Sequence, residues 1–118
     1  MNKLLARGAI VVGAGVLLAG VGVSRARAED GKPLFDKNCV MCHGASGKGD
    51  GPAGKMMKPP PGDFATVLKG KSDADIAKVI KEGGKAVGKA ASMPAYGSKL
   101  SDDQITSLVE YMKGLSAK

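Results

Sequence analysis

The chain has 118 residues, 18 of them basic and 11 acidic, which gives a formal charge of +7. This length predicts one small domain, and two Phe, two Tyr and no Trp provide few large side chains for its core. The basic residues form no stripe and are not interleaved with aromatic residues, which excludes nucleic-acid binding from the predicted functions.

Residues 1–28 have the pattern of an export signal. Two basic residues precede an apolar run of 16 residues from Gly8 to Val23, and Ala26-Arg27-Ala28 forms a small-x-small cleavage site. The run is shorter than the ~20 residues that a membrane-spanning helix needs. We therefore expect cleavage after Ala28, a mature domain of residues 29–118 in the periplasm, and no membrane span in that mature form. The alternative is that the segment is retained as a membrane anchor.

Loss of this signal lowers the net charge of the protein, and it is the net charge of the mature domain that bears on its partners. It removes four basic residues, Lys3, Arg7, Arg25 and Arg27, and no acidic residue. The mature domain then has 14 basic and 11 acidic residues and a formal charge of +3. The lysines are therefore predicted to form a solvated surface.

The next element is predicted to be a helix that leads into the most informative motif of the chain. An acidic residue and an early proline, Asp30 and Pro33, favour a helix start between them, and the helix runs toward Cys39. Both cysteines and the single histidine follow within five residues, as Cys39-Val40-Met41-Cys42-His43. This C-x-x-C-H spacing is typical of covalent haem attachment.

Each residue type in the motif has a chemical role toward a haem. The thiols of Cys39 and Cys42 can each add to one vinyl group, and His43 is then placed to ligate the iron. Structural zinc would need four ligands, a thioredoxin-like site would need a βαβ context, and a disulfide would leave His43 unexplained. We therefore predict one covalent haem c, whose apolar surface would also complete a meagre core.

The remaining elements are predicted to be a long loop and two further helices. Residues 44–62 contain six glycines and the run Pro59-Pro60-Pro61, which indicates a loop, with a short turn at 63–68 after it. Ser72 to Asp75 resembles a capping box before a helix that stops at Gly83-Gly84. The last helix begins with a second capping box at Ser101 and Gln104, carries an apolar face, and is predicted to end at Gly114. Because no segment alternates as a strand does, the predicted fold class is all-α.

A methionine is the next candidate for the second axial ligand, because the chain has one histidine. Met41 lies inside the attachment motif, and Met112 falls on the apolar face of the last helix, where methionine is usually core. Met56 and Met57 follow the motif closely, which leaves little chain to cross the edge of the ring, and they are the alternatives. Met93 lies in a non-helical segment far enough along the chain, and we predict it as the axial ligand.

These residues resemble class I c-type cytochromes of the short monohaem bacterial periplasmic type, over residues 29–118. The resemblance implies a small cytochrome c fold, with crossing N- and C-terminal helices, one or two middle helices and long loops around the haem. The matching features are Gly31 and Phe35, the C-x-x-C-H motif, the loop Gly47-Lys48-Gly49-Asp50-Gly51-Pro52, the segment Ser92-Met93-Pro94-Ala95-Tyr96, and Leu108 and Tyr111 in the last helix.

The resemblance also implies roles for individual residues. Gly31, Phe35, Leu108 and Tyr111 match the positions through which the first and last helices of the family touch. A proline carbonyl in the family accepts a hydrogen bond from the iron-ligating histidine and orients it. Pro52 matches that proline by position, and Pro59 to Pro61 are the alternatives.

The expected function is that of a soluble, monomeric periplasmic electron carrier, which is not an enzyme and whose iron cycles between Fe(II) and Fe(III). Its partners would be redox proteins that donate and accept electrons. A haem c subunit of a larger dehydrogenase or oxidase is the alternative. A haem enzyme or gas sensor with an open iron site would follow only if Met93 were not a ligand.

Overall fold

The computed structural model describes Gly13, Gly15 and residues 23–118 of the chain. Most of the predicted signal segment, 1–28, therefore lies outside the described residues. The helices are α1 (Val23–Asn38), α2 (Val40–His43), α3 (Phe64–Val67), α4 (Asp73–Glu82) and α5 (Asp102–Ser116), with single 3-10 turns at Gly54–Met56 and Lys85–Val87. Within this described part there is no strand, so the all-α prediction is confirmed. None of these helices is long and apolar enough to cross a membrane.

The start predicted for the first helix is wrong. Helix α1 begins at Val23, well before Asp30, and Pro33 lies in its interior. Six of the ten helical residues before Pro33 are Arg, Ala, Glu or Lys, which are strong helix formers, so the helix continues through them. The proline removes one intrahelical hydrogen bond without ending the helix.

Both predicted capping boxes are present. The Ser72 hydroxyl accepts a hydrogen bond from the Asp75 amide at 3.1 Å, and the Ser101 hydroxyl accepts one from the Gln104 amide at 3.2 Å. In return, the Asp75 carboxylate accepts a hydrogen bond from the Ser72 amide, and the Gln104 side-chain oxygen accepts one from the Ser101 amide. The predicted end of the last helix is wrong by two residues, because Gly114 does not adopt the left-handed backbone that ends helices and α5 continues through it to Ser116.

Helices α1 and α5 approach each other closely at Gly31. A methyl group at this position would overlap the Ser107 carbonyl oxygen and lie 2.8 Å from the Tyr111 Cβ. One helical turn further along α1, Phe35 is 0% exposed and its ring centroid lies 5.2 Å from that of Tyr111. Leu108 belongs to the same buried cluster. The structure thus brings together the four residues that sequence analysis placed at the helix contact.

The buried core is small and draws on α1, α3, α4 and α5. Two exposed ion pairs, Lys81–Asp102 and Lys113–Asp73, also join α4 to the ends of α5, each with a nitrogen–oxygen distance of 2.6 Å. Because these pairs are exposed to water, they contribute little to stability. The hydrophobic core residues are Phe35, Phe64, Ile76, Ile80, Ile105, Leu108, Val109 and Met112.

The α1–α5 contact gives a prediction on stability. We expect Gly31→Ala to destabilise the haem-loaded protein by about 1–3 kcal/mol, because the added methyl group must separate two packed backbones. The matched control is Gly114→Ala, in a helix and with open surroundings, which should stabilise the protein by up to about 1 kcal/mol. Urea unfolding of the two variants measures both effects. Equal stability of the two variants would contradict the close contact.

Candidate haem-binding site

The C-x-x-C-H motif forms one helical turn at the end of α1. The amide of Cys39 donates to the Phe35 carbonyl at 2.8 Å, and the amide of His43 donates to the Cys39 carbonyl at 2.8 Å. Residues three and four positions apart on a helix share a face, so the side chains of Cys39, Cys42 and His43 project to one side. All three line the same large cavity.

This cavity has a volume of about 640 Å³, which is in the range of cofactor sites, about 300–1,000 Å³. Its wall is mainly apolar and includes Phe64, Ile76, Val79 and Met93. A small void of about 20 Å³ also has His43 and Met93 in its wall. The charged residues of the cavity wall are Lys71, Asp75, Lys78 and Lys89.

His43 lies deep enough in this wall for burial to lower its pKa. The imidazole is therefore neutral near pH 7, which is the form that ligates a metal. Its ring centroid lies 5.0 Å from that of Phe64, and its buried Nδ1 has no hydrogen-bond partner. Nδ1 is the one such orphaned buried side-chain atom found among the described residues.

The hydrogen bond predicted between Pro52 and His43 is therefore not formed in this structure. Pro52 is exposed and lies outside the cavity wall. Its loop instead packs against the backbone of the motif, where the Ala53 amide donates to the Met41 carbonyl at 2.9 Å. The three alternatives from sequence, Pro59, Pro60 and Pro61, are in the cavity wall.

The two cysteines are free thiols, and both are partly buried. Burial, together with the neighbouring Cys42, raises the pKa of the Cys39 thiol to about 11. Cys39 is therefore protonated near neutral pH.

Met93 is held beside the cavity by the end of α4. The Gly84 amide donates to the Met93 carbonyl at 2.9 Å. A methyl group on Gly84 would overlap the Ala90 carbonyl oxygen and lie 3.1 Å from the Met93 Cβ. From the sequence, Gly83-Gly84 is predicted only to be a helix stop. The pair also lets the Met93 segment pack directly against the helix end, a role that two adjacent glycines can signal.

The other methionines separate into two groups. Met41 is 62% exposed and Met56 is 83% exposed, and neither is in the cavity wall. Met57 and Met112 are in the cavity wall with Met93, and Met112 belongs to the hydrophobic core. Met57 is therefore the rival to Met93 that the structure retains.

Comparison with known proteins decides the family. Residues 28–116 match the family model for cytochrome c. The chain belongs to the cytochrome c family. The small all-α cytochrome c fold that the sequence resemblance implied is thereby confirmed.

Two curated relatives of this cytochrome are oxidase subunits. It is 34% identical over 90 residues to the Cbb3-type cytochrome c oxidase subunit CcoP of Azospirillum brasilense, covering 76% of this chain and 29% of that protein. It is 31% identical over 99 residues to the Cbb3-type cytochrome c oxidase subunit CcoP of Azospirillum sp. strain B510, covering 83% of this chain and 32% of that protein. The cytochrome thus spans about a third of the length of these relatives.

The residues of this cytochrome fit haem c. Two thiols, a neutral imidazole and a thioether are in the wall of one apolar cavity of suitable volume. Cys39 and Cys42 would hold the group covalently, His43 would be one axial ligand, and Met93, with Met57 as its rival, would be the other. Haem c supplies one-electron chemistry through its iron, so the site assigns electron transfer to this chain.

The cavity also predicts that the cytochrome needs its haem to fold. Without a group in the cavity of about 640 Å³, the apolar side chains of its wall lose their packing partners, and the remaining core is small. We expect the Cys39→Ala/Cys42→Ala double variant to lose covalent haem and cooperative unfolding. Haem staining after denaturing electrophoresis and urea unfolding by circular dichroism measure the two losses. A haem-free variant that unfolds as cooperatively as the wild type would contradict the prediction.

Proposed function

We propose that this cytochrome is a single-haem electron-transfer module that works as a subunit of an oxidase complex. The observation that carries the proposal is the similarity of most of this chain to part of two oxidase subunits. The chain has one C-x-x-C-H motif and hence one covalent attachment site. Its donor and acceptor would then be redox proteins of the same assembly.

A free carrier is the second candidate. The predicted export signal and the single domain support it, and so does the fact that one haem cavity is enough for a carrier. Both candidates use the same haem site, and both place that site in the periplasm. The comparisons favour the oxidase subunit, because the two relatives described above are oxidase subunits.

Electron transfer without substrate chemistry is supported by the arrangement of the two axial candidates. His43 and Met93 are both in the walls of the large cavity and of the small void. With both side chains bound, the iron has no open position for a substrate or gas. The protein's part is then to hold the two ligands in either oxidation state, so that the proposal assigns no enzymatic activity to the chain.

The ligand assignment predicts the behaviour of two methionine variants. The wild type should show a low-spin spectrum and bind no carbon monoxide when reduced near neutral pH. We expect Met93→Ala to open the iron, to change the spectrum and to bind carbon monoxide, because this variant removes the thioether assigned to the iron. The control, Met56→Ala, removes an exposed methionine outside the cavity and should match the wild type. If Met57→Ala produces the change and Met93→Ala does not, the ligand assignment is wrong.

The partner proposal needs a separate experiment in the native host. We expect haem-stained cytochrome to stay with membranes and to co-purify with an oxidase, and its reduced haem to be reoxidised by those membranes in a cyanide-sensitive way. Release of all the cytochrome into the periplasmic fraction, with oxidase activity retained by the washed membranes, would instead identify a free carrier.

A further inference from the structure

The segment that carries Met93 is attached to the rest of the protein in two different ways. Main-chain hydrogen bonds attach it to the end of α4. The Gly84 amide donates to the Met93 carbonyl, and the Tyr96 amide donates to the Ile80 carbonyl, both at 2.9 Å. One side-chain hydrogen bond attaches it to α1, where the Tyr96 hydroxyl donates to the Asn38 carbonyl at 3.0 Å. The second connection spans 58 residues of sequence.

Asn38 is a suitable anchor because it is the last residue of α1 and immediately precedes Cys39. The last carbonyls of a helix lack intrahelical donors, and the Tyr96 hydroxyl supplies one. The Asn38 side chain is itself fixed by donating to the Leu34 carbonyl at 2.9 Å. The anchor therefore belongs to the helix end from which the haem-attachment motif begins.

Tyr96 also lies between the two ligand-bearing segments. Its ring is in the walls of both the large cavity and the small void, as are Cys39, His43 and Met93. The side chain is partly buried, and burial is the leading cause that raises the pKa of its hydroxyl. The hydroxyl is thus a neutral donor at neutral pH, directed at a backbone carbonyl.

We propose that Tyr96 is a positioning residue for the axial ligand Met93. Its hydroxyl ties the segment carrying Met93 to the helix end carrying Cys39, so that the two sides of the cavity keep a fixed separation. This inference rests on the proposed function, since it requires Met93 to be the iron ligand. The main-chain bonds to α4 hold the segment in place on one side, and Tyr96 holds it on the other.

The consequence is that the tie opposes departure of Met93 from the iron. An external ligand such as imidazole must displace Met93, and its apparent affinity includes the free energy of that displacement. Removal of one partly buried hydrogen bond changes such an equilibrium by roughly two- to tenfold. The ring of Tyr96 and the main-chain hydrogen bonds do not depend on the hydroxyl.

The test is a double-mutant cycle on the oxidised, haem-loaded protein at fixed neutral pH, with imidazole as the probe. We expect Tyr96→Phe to bind imidazole roughly two- to tenfold more tightly than the wild type while keeping a low-spin spectrum. In the Met93→Ala background, where there is no methionine to displace, Tyr96→Phe should leave imidazole affinity unchanged. Tyr111→Phe is the matched control, because no hydrogen bond from that hydroxyl is found among the described residues.

Each outcome supports or overturns the inference. Wild-type imidazole affinity in Tyr96→Phe overturns it, and so does an equal increase in the two backgrounds, which would mean that Tyr96 blocks access to the cavity. If Tyr96→Phe does not fold, Tyr96→Leu also removes the donor, and wild-type imidazole affinity in the folded Leu variant overturns the role of the hydroxyl. A Met93→Ala variant with an unchanged spectrum removes the ligand assignment itself, which separates failure of the proposed function from failure of this inference.

Discussion

The close contact between α1 and α5 at Gly31 is the constraint on which the rest of the domain depends. Because glycine has no side chain, the two backbones meet at Ser107, and Phe35 is enclosed one turn later. The same helix then ends at Asn38, and the motif turn follows at once. The position of the haem-attachment residues is therefore set by how closely α1 lies against α5 and by where α1 ends.

Local patterns in the sequence predicted the elements whose stability is local. The capping boxes at Ser72 and Ser101 form because each requires only residues three positions apart. The C-x-x-C-H motif needs one helical turn, so its three side chains share a face wherever the motif is placed. The start of α1 was predicted wrongly because Pro33 is acceptable both near a helix start and, at the loss of one hydrogen bond, inside a helix.

The parts of the site that could not be read from the sequence depend on contacts between distant segments. Gly84 matters because it packs against the Met93 segment, and the Tyr96 hydroxyl meets a carbonyl 58 residues away. Neither contact joins residues at a fixed spacing along the sequence, so no local pattern predicts it. Met93 was predicted from its distance from His43 along the chain and from its position outside the helices, and it does lie in the cavity wall. Met57 lies in the same wall, so the structure does not decide between the two. The Pro52 hydrogen bond, inferred from position alone, is not present.

The two axial candidates are supported by different physics, and this difference bears on electron transfer. His43 belongs to a helical turn whose own backbone hydrogen bonds fix it. Met93 lies in a segment without regular structure, held by a few contacts to two separate helix ends. Loops held by few contacts open at lower free energy than helices do. If Met93 is the iron ligand, a constant geometry in Fe(II) and Fe(III) depends most on the anchors of its segment. Among the described residues, the Tyr96 hydroxyl is the side-chain anchor, and a substitution can remove it without changing the main chain.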